Sequence, residues 1–126
     1  MDTNYLMSKS PIPKFYKKIL IPDVVMRELD NLKRSNFKFK ARLAANAIKN
    51  VDHLLGQPRV SLLAFFQDKK VSKLYQIRVF DNDGLIIAHA LEQKRENPAA
   101  LKCSVCLLTH DKSMQLRAKE AGLKTL

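Results

Sequence analysis

The sequence predicts an α/β fold, a parallel sheet with helices packed on both faces. Three observations predict it. Apolar runs rich in β-forming residues alternate with helical patterns along the chain. No internal repeat and no linker breaks that alternation. The chain has 126 residues, 46% of them hydrophobic, which suits one domain with one core. Successive parallel strands need a crossover, usually a helix, so this alternation is the mark of a parallel sheet.

The elements follow in chain order. Tyr5 to Ser8 begins a short helix, and Pro11 and Pro13 mark a loop. Phe15 to Lys18 reads as a helical turn before the strand Ile19-Leu20-Ile21. Asp23, after Pro22, stands in N-cap position for a helix running to about Arg34, with Val25, Leu29 and Leu32 on one apolar face. Ser35 to Phe39 is a basic connector. Lys40 to Leu55 is a second helix, striped by Leu43, Ala47, Val51 and Leu54 and ended by Gly56-Gln57-Pro58. Val60 to Phe66 is apolar without a decisive period, and Gln67 to Lys73 reads as a loop or hairpin tip. Tyr75 to Phe80 alternates and reads as a strand or an extended segment. Asp81-Asn82-Asp83-Gly84 is a turn or cap cluster, with Asp83 a natural N-cap. Leu85 to Leu91, apolar almost all round, is a buried helix whose polar exit is Glu92 to Asn97. Cys103 to Thr109 is a strand. Asp111 caps a last helix with Leu116, Ala118 and Ala121 inward, Gly122 closes it, and Leu123 to Leu126 starts a final strand.

Composition narrows the function. Net charge is +11, from 23 basic and 12 acidic residues, so a polyanion is the expected partner. The excess concentrates between Asn31 and Asn50, where Lys33, Arg34, Lys38, Lys40, Arg42 and Lys49 occur with no acid and with Phe37 and Phe39 between them. No apolar run reaches the roughly 18 residues of a membrane span, and MDTNYLMSKS lacks a signal peptide's apolar core. An intracellular protein without a membrane partner is expected. Cys103 and Cys106 form a lone CxxC within a strand-like run, where residues three apart face opposite ways, so the pair reads as two thiols and not a chelate. His53, His89 and His110 have no metal-ligand spacing; His89 reads as a satisfied core residue. There is no G-x-S-x-G and no Gly-rich phosphate loop, which disfavours acyl transfer and P-loop chemistry.

The carboxylates carry more. Asp30 has Lys33 and Arg34 at ion-pair spacing on its own helix, and Glu28 has no such partner. With Met1 ending a strand, Asp2, Glu28, Asp81, Asp83 and Asp111 all lie just after a strand-like run or in the opening turns of the next helix. In parallel α/β sheets that end collects ligands. Carboxylates gathered there repel one another unless a divalent cation neutralises them, and an oxygen-only donor set suits Mg²⁺ or Mn²⁺. A basic surface that holds a polyanion beside an acidic pocket that holds metal is the arrangement of a metal-dependent nuclease.

The ordered motifs Asp2-Thr3-Asn4, IPDVVMRELDNLK, Asp83-Gly84-Leu85-Ile86-Ile87-Ala88 and Thr109-His110-Asp111 resemble those of PIN domains across nearly the whole chain. The second motif is most similar to eukaryotic RNA-surveillance endonucleases, of the nuclear transcript-surveillance or nonsense-mediated decay type. The resemblance implies a Rossmann-like sheet and endonucleolytic cleavage of single-stranded RNA with Mg²⁺ or Mn²⁺. It implies that Asp2, Glu28, Asp83 and Asp111 are the catalytic and metal-holding acids, with Asn4 and Thr109 supporting them by hydrogen bonds and Asp81 competing with Asp83 for the third acid. Lys33, Arg34, Lys38, Lys40 and Arg42 are the expected RNA-binding residues. It further implies a fragment of a longer, intracellular and rather nuclear protein, with other domains and room for a homo-oligomer. The strand that precedes the first acid in the family is expected to be truncated here. The rival reading is an inactive PIN-like module that binds RNA or a protein partner. A phosphatase of the haloacid-dehalogenase type needs a second acid two residues after the first, where this chain has Asn4.

Overall fold

The computed structural model describes residues 1–8, 11–14, 16, 18–78, 80–96 and 105–125. Six helices and four strands are formed among them. They are α1 (Thr3–Met7), β1 (Ile19–Pro22), α2 (Asp23–Lys33), α3 (Lys38–Leu54), β2 (Val60–Leu63), α4 (Phe65–Leu74), α5 (Asn82–Glu96), β3 (Cys106–Leu107), α6 (Lys112–Glu120) and β4 (Lys124–Thr125).

The strands pair in parallel, as the alternation predicts, in two pairs. β1 runs beside β2 with Ile19 opposite Val60, and β3 beside β4 with Cys106 opposite Lys124. Met1 and Asp2 bridge the pairs through backbone bonds: Met1 N donates to Leu20 O at 3.2 Å, and Asp2 N to Leu108 O at 3.1 Å. These two bonds fix Asp2 between the strand pairs.

Helix α2 is the hub. It touches α1, α3, α4, α5 and β1. Val24, Val25 and Leu29 are fully buried on its inner face, where each such side chain contributes about 1.5–3 kcal/mol relative to exposure. Its N-cap is Pro22 and not Asp23: Pro22 sits at φ −65° and ψ 149° with no side-chain cap bond. Asp23 is the first helical residue, where it suits the positive end of the helix, and it pairs with Arg27 at 3.2 Å.

Other expectations are corrected. Gln67–Lys73 is part of helix α4 and not a loop. Its buried face presents Asp68 and Val71, three apart, so one of the two inward positions carries a charge and the apolar stripe is lost from the sequence. Asp68 is satisfied from outside α4, by Arg27 Nη2 at 2.7 Å and His89 Nε2 at 2.6 Å. His89 is thus the hydrogen-bonded core histidine that its place in the buried helix predicts. Tyr75–Phe80 forms no strand among its described residues: Tyr75 ends α4, Gln76 takes φ 55°, and Ser72 Oγ bonds back to Ile77 O at 2.7 Å. Glu92 is buried inside α5 instead of leading out of it, held by Arg95 and by the Tyr75 hydroxyl. On α6 the inward residues are Met114 and Ala118, whereas Leu116 is 64% exposed and Ala121 is exposed too. Gly122, at φ 84°, closes α6 as expected. Its N–H reaches Lys119 O and that of Leu123 reaches Ala118 O, which satisfies the last helical carbonyls. Cys103 lies outside the described residues, and Cys106 is a half-buried free thiol in β3.

Candidate functional site

Four helix starts bring the expected acids toward one region. Asp2 is the N-cap of α1, Glu28 lies in the second turn of α2, Asp83 in the first turn of α5, and Asp111 is the N-cap of α6.

Asp2 is buried. One carboxylate oxygen accepts from Tyr5 N at 2.9 Å and the other from the Thr109 hydroxyl. Thr109 is fully buried, and its Oγ1 also accepts from Asp111 N at 3.1 Å. One hydroxyl therefore ties the first of these acids to the backbone of the fourth. Asp111 Oδ1 caps α6 by accepting from Ser113 N at 2.9 Å and Met114 N at 3.3 Å. Its Oδ2 accepts no hydrogen bond from a described residue, so capping leaves an oxygen to spare.

Glu28 Oε1 accepts from Thr3 Oγ1 at 2.9 Å, and Asn82 lies near enough to favour the charged carboxylate. Burial raises its pKa above the usual carboxylate range, and the charges of Asp83 and Asp2 add to that rise. The Thr3 bond and the nearby Asn82 side chain oppose it. Asp83 is also raised, first by desolvation and then by the charge of Asp111, with Asp81 and Asp2 behind it. Asp83 stays open to solvent, so its desolvation is partial and the repulsion counts beside it. Each of these two acids therefore feels Asp2 and, in part, the other members of the set: this is electrostatic convergence.

Asp81 behaves in the opposite way. Arg117 grips it at 3.2 and 2.7 Å, and Gly84 N donates to Oδ1 at 3.0 Å. The Arg117 bonds pull its carboxyl below the usual range. It caps α5, a role expected of Asp83, and so leaves Asp83 uncommitted. Gly84 is required here, because an added Cβ would run into the Asp81 carboxylate and come within 2.9 Å of Ile77 Cγ2.

Asn4, expected as a supporting residue, is not among the side chains brought to the acids. It is exposed on α1, and its side chain bonds no described acid. Thr3, one residue earlier, turns inward to Glu28 instead. Thr3 and Asn82 were not identifiable from the sequence, since small polar residues are common at any helix start. His110 is exposed beside Asp111, its ring stacked on Tyr5 at 4.8 Å and 20°. The expected basic residues Lys33, Arg34, Lys38, Lys40 and Arg42 are all exposed around the α2–α3 turn. Arg34 pairs with Asp30 at 3.1 Å, so Asp30 is the surface ion-pair residue its spacing indicates. A cavity of about 550 Å³ lined by Asn46, Asn50, Leu54 and Arg59 holds none of these acids.

A profile of the PIN domain family matches residues 1–126, the full length. The chain belongs to the PIN domain family. No curated protein and no solved structure gives a match. PIN domains are typically metal-dependent nucleases, and the α/β order with short parallel strands agrees with the family fold.

The donors here fit a hard divalent ion in kind. They are all carboxylate oxygens, and two of them have pKa values raised in part by mutual repulsion, which a cation would relieve. In spacing they are looser: no three His, Cys, Asp or Glu side chains among the described residues lie close enough to hold one ion.

Proposed function

We propose that this PIN domain is an endonuclease that cleaves single-stranded RNA with Mg²⁺ or Mn²⁺. The observation that carries the reading is the electrostatic coupling of Asp2, Glu28, Asp83 and Asp111 from four separate helix starts within a chain of net charge +11. Glu28 and Asp83 are the principal ion-holding groups in this reading, because each has carboxylate capacity left and a raised pKa. Asp2 is fixed by Tyr5 N and Thr109, and it offers the remaining lone pairs of oxygens that are already oriented. Asp111 offers the oxygen left over from capping. Bound among them, a divalent ion would supply water activation and charge stabilisation at a phosphodiester. The exposed cations from Lys33 to Arg42 hold the RNA backbone. RNA surveillance or turnover, in the nucleus, is the setting to which the VVMRELDNLK motif points.

The test is a circular single-stranded RNA, which only an endonuclease can open, incubated with the protein in Mn²⁺ or in EDTA. Opening in Mn²⁺ alone, abolished by Asp83→Asn, is expected. Cleavage that persists in EDTA or in the variant would remove the metal mechanism. A second reading has one observation in its favour. The acids are not drawn to ion-holding distance, as in a module that binds RNA or a protein without cutting. Binding with no cleavage under any divalent ion would promote it.

A further inference from the structure

The α2–α3 turn holds more than cations. Phe37 is 71% exposed and Phe39 is 72% exposed. Two exposed aromatic rings two residues apart inside a basic, acid-free run make a surface that is apolar and cationic at once, which suits a partner with flat apolar faces and negative charge. Phe37 stands at the N-cap position of α3, its N–H held by Ser35 Oγ at 3.2 Å and its carbonyl by Ala41 N at 3.0 Å. Phe39 lies in the first helical turn. The backbone beneath both rings is therefore fixed. Lys40 Nζ sits 5.7 Å from the Phe37 ring centroid. From Asn31 to Asn50 there are six basic residues and no acid. That charge repels a second copy of this chain, which carries the same field, and it favours a polyanion.

We propose that Phe37 and Phe39 are a base-stacking element that selects nucleic acid with unpaired bases. Every base has a π-face, but only a single strand can present it to a protein ring, while a duplex presents phosphates. Lys33, Lys38, Lys40 and Arg42 supply the phosphate contacts beside the rings. The inference rests on the nuclease reading for its choice of nucleic acid as the partner. It adds the means by which that partner is recognised as single-stranded. The placement is economical: Lys33 lies about 7.5 Å along the α2 axis from Glu28, and the rings follow within the next turn of chain.

The experiment measures binding in EDTA, so that cleavage plays no part. The probes are a short single-stranded RNA carrying 2-aminopurine, the same RNA as a duplex, and polyglutamate. Wild-type protein is expected to quench the 2-aminopurine on binding. Phe37→Ala and Phe39→Ala each weaken single-strand binding about tenfold, abolish part of the quench, and leave both duplex binding and the salt slope unchanged. Phe37→Trp restores the loss. Equal binding by the alanine variants and wild type overturns the proposal, as does equal loss on single strand and duplex. Absence of single-strand binding by the wild type overturns it too. Tight, ring-dependent binding of polyglutamate in preference to RNA would make the surface a site for an acidic protein. Cleavage of the circular RNA is followed separately in Mn²⁺. Ring-dependent binding without cleavage counts against the nuclease reading alone, and cleavage with ring-independent binding counts against the stacking alone.

Discussion

Thr109 does with one hydroxyl what two residues usually share. It donates to Asp2 and accepts from Asp111 N, with no exposure to water. Thr109→Val keeps the volume but leaves Asp2 Oδ2 without its donor and the Asp111 N–H without its acceptor. Cleavage is expected to fall about 10–100-fold, as for other groups that orient metal ligands, and stability by about 1–3 kcal/mol. Thr109→Ser should recover most of both; a valine variant as active as wild type would remove the positioning role. Glu28 gives a prediction of the other sign. Its pKa is raised above an ordinary 4.5, and that of Asp83 above 3.8. In the window between ordinary and raised values the native state binds more protons than the unfolded state, so stability falls as pH rises through it. The charged acids thus burden the metal-free fold at neutral pH. Glu28→Gln should melt higher than wild type at neutral pH without metal, lose that advantage in acid, and fail to cleave. Asp30→Asn, two residues on, should stay within about 0.5 kcal/mol of wild type and cleave normally, since an exposed i,i+4 pair contributes little. Equal damage from both substitutions would contradict this division of roles. The placement of the candidate acids was legible in the sequence because each lies just after a strand-like run or in the opening turns of a helix. Thr3 was not, because its partner Glu28 lies 25 residues away and a hydroxyl at a helix start has no distinctive local pattern.

At the scale of elements, α5 depends on the cap that the sequence assigned to the wrong acid. Asp81 folds over the helix start and meets Gly84 N, which requires that residue 84 have no Cβ. Propensity alone favours Gly84→Ala by about 1 kcal/mol in a helix. The close approach of Asp81 reverses the sign: alanine must displace the carboxylate, break the Arg117 pair and shift Asp83. A lower melting temperature and weaker cleavage are expected, and a variant more stable than wild type would show that the cap is dispensable. Helix α4 shows why part of the fold was illegible. Strands and helices with an apolar period, such as Ile19–Ile21 and the α2 and α3 stripes, were read to within a few residues. In α4 a buried position is occupied by Asp68, whose compensation comes from Arg27 on α2 and His89 on α5. No local pattern reports a partner on another element. Asp68→Ala should therefore cost about 1–3 kcal/mol, because it strands a buried imidazole, and should loosen the helices that carry Glu28 and Asp83. Urea unfolding of the variant checks the magnitude; a loss within 0.5 kcal/mol, roughly that of an ordinary surface change, would mean water replaces the carboxylate at little cost.

For the molecule as a whole, the proposed reading divides the net charge of +11 by function. Acids gather at the helix starts that meet near Asp2, and the longest acid-free stretch caps the α2–α3 turn. A nuclease needs both signs, one for the ion and one for the phosphates, and it needs them close without mutual cancellation. Lys33, Lys38, Lys40 and Arg42 are exposed and have no carboxylate on their own stretch, whereas Arg34 is drawn to Asp30. Phosphate contacts by the free four release counterions from a single strand with a slope of about −0.7 each, so log K against log salt should fall with a total slope of about −3. Lys38→Ala with Lys40→Ala should flatten that by about 1.4. The measurement is anisotropy of a single-stranded RNA in EDTA across a chloride series, repeated in glutamate to separate anion effects from counterion release. A slope near zero would detach the basic turn from the substrate altogether. A steep slope unchanged in the double variant would move the phosphate track to cations elsewhere on the chain, with Arg78 and Arg117, near the Asp81 cap, the first to examine.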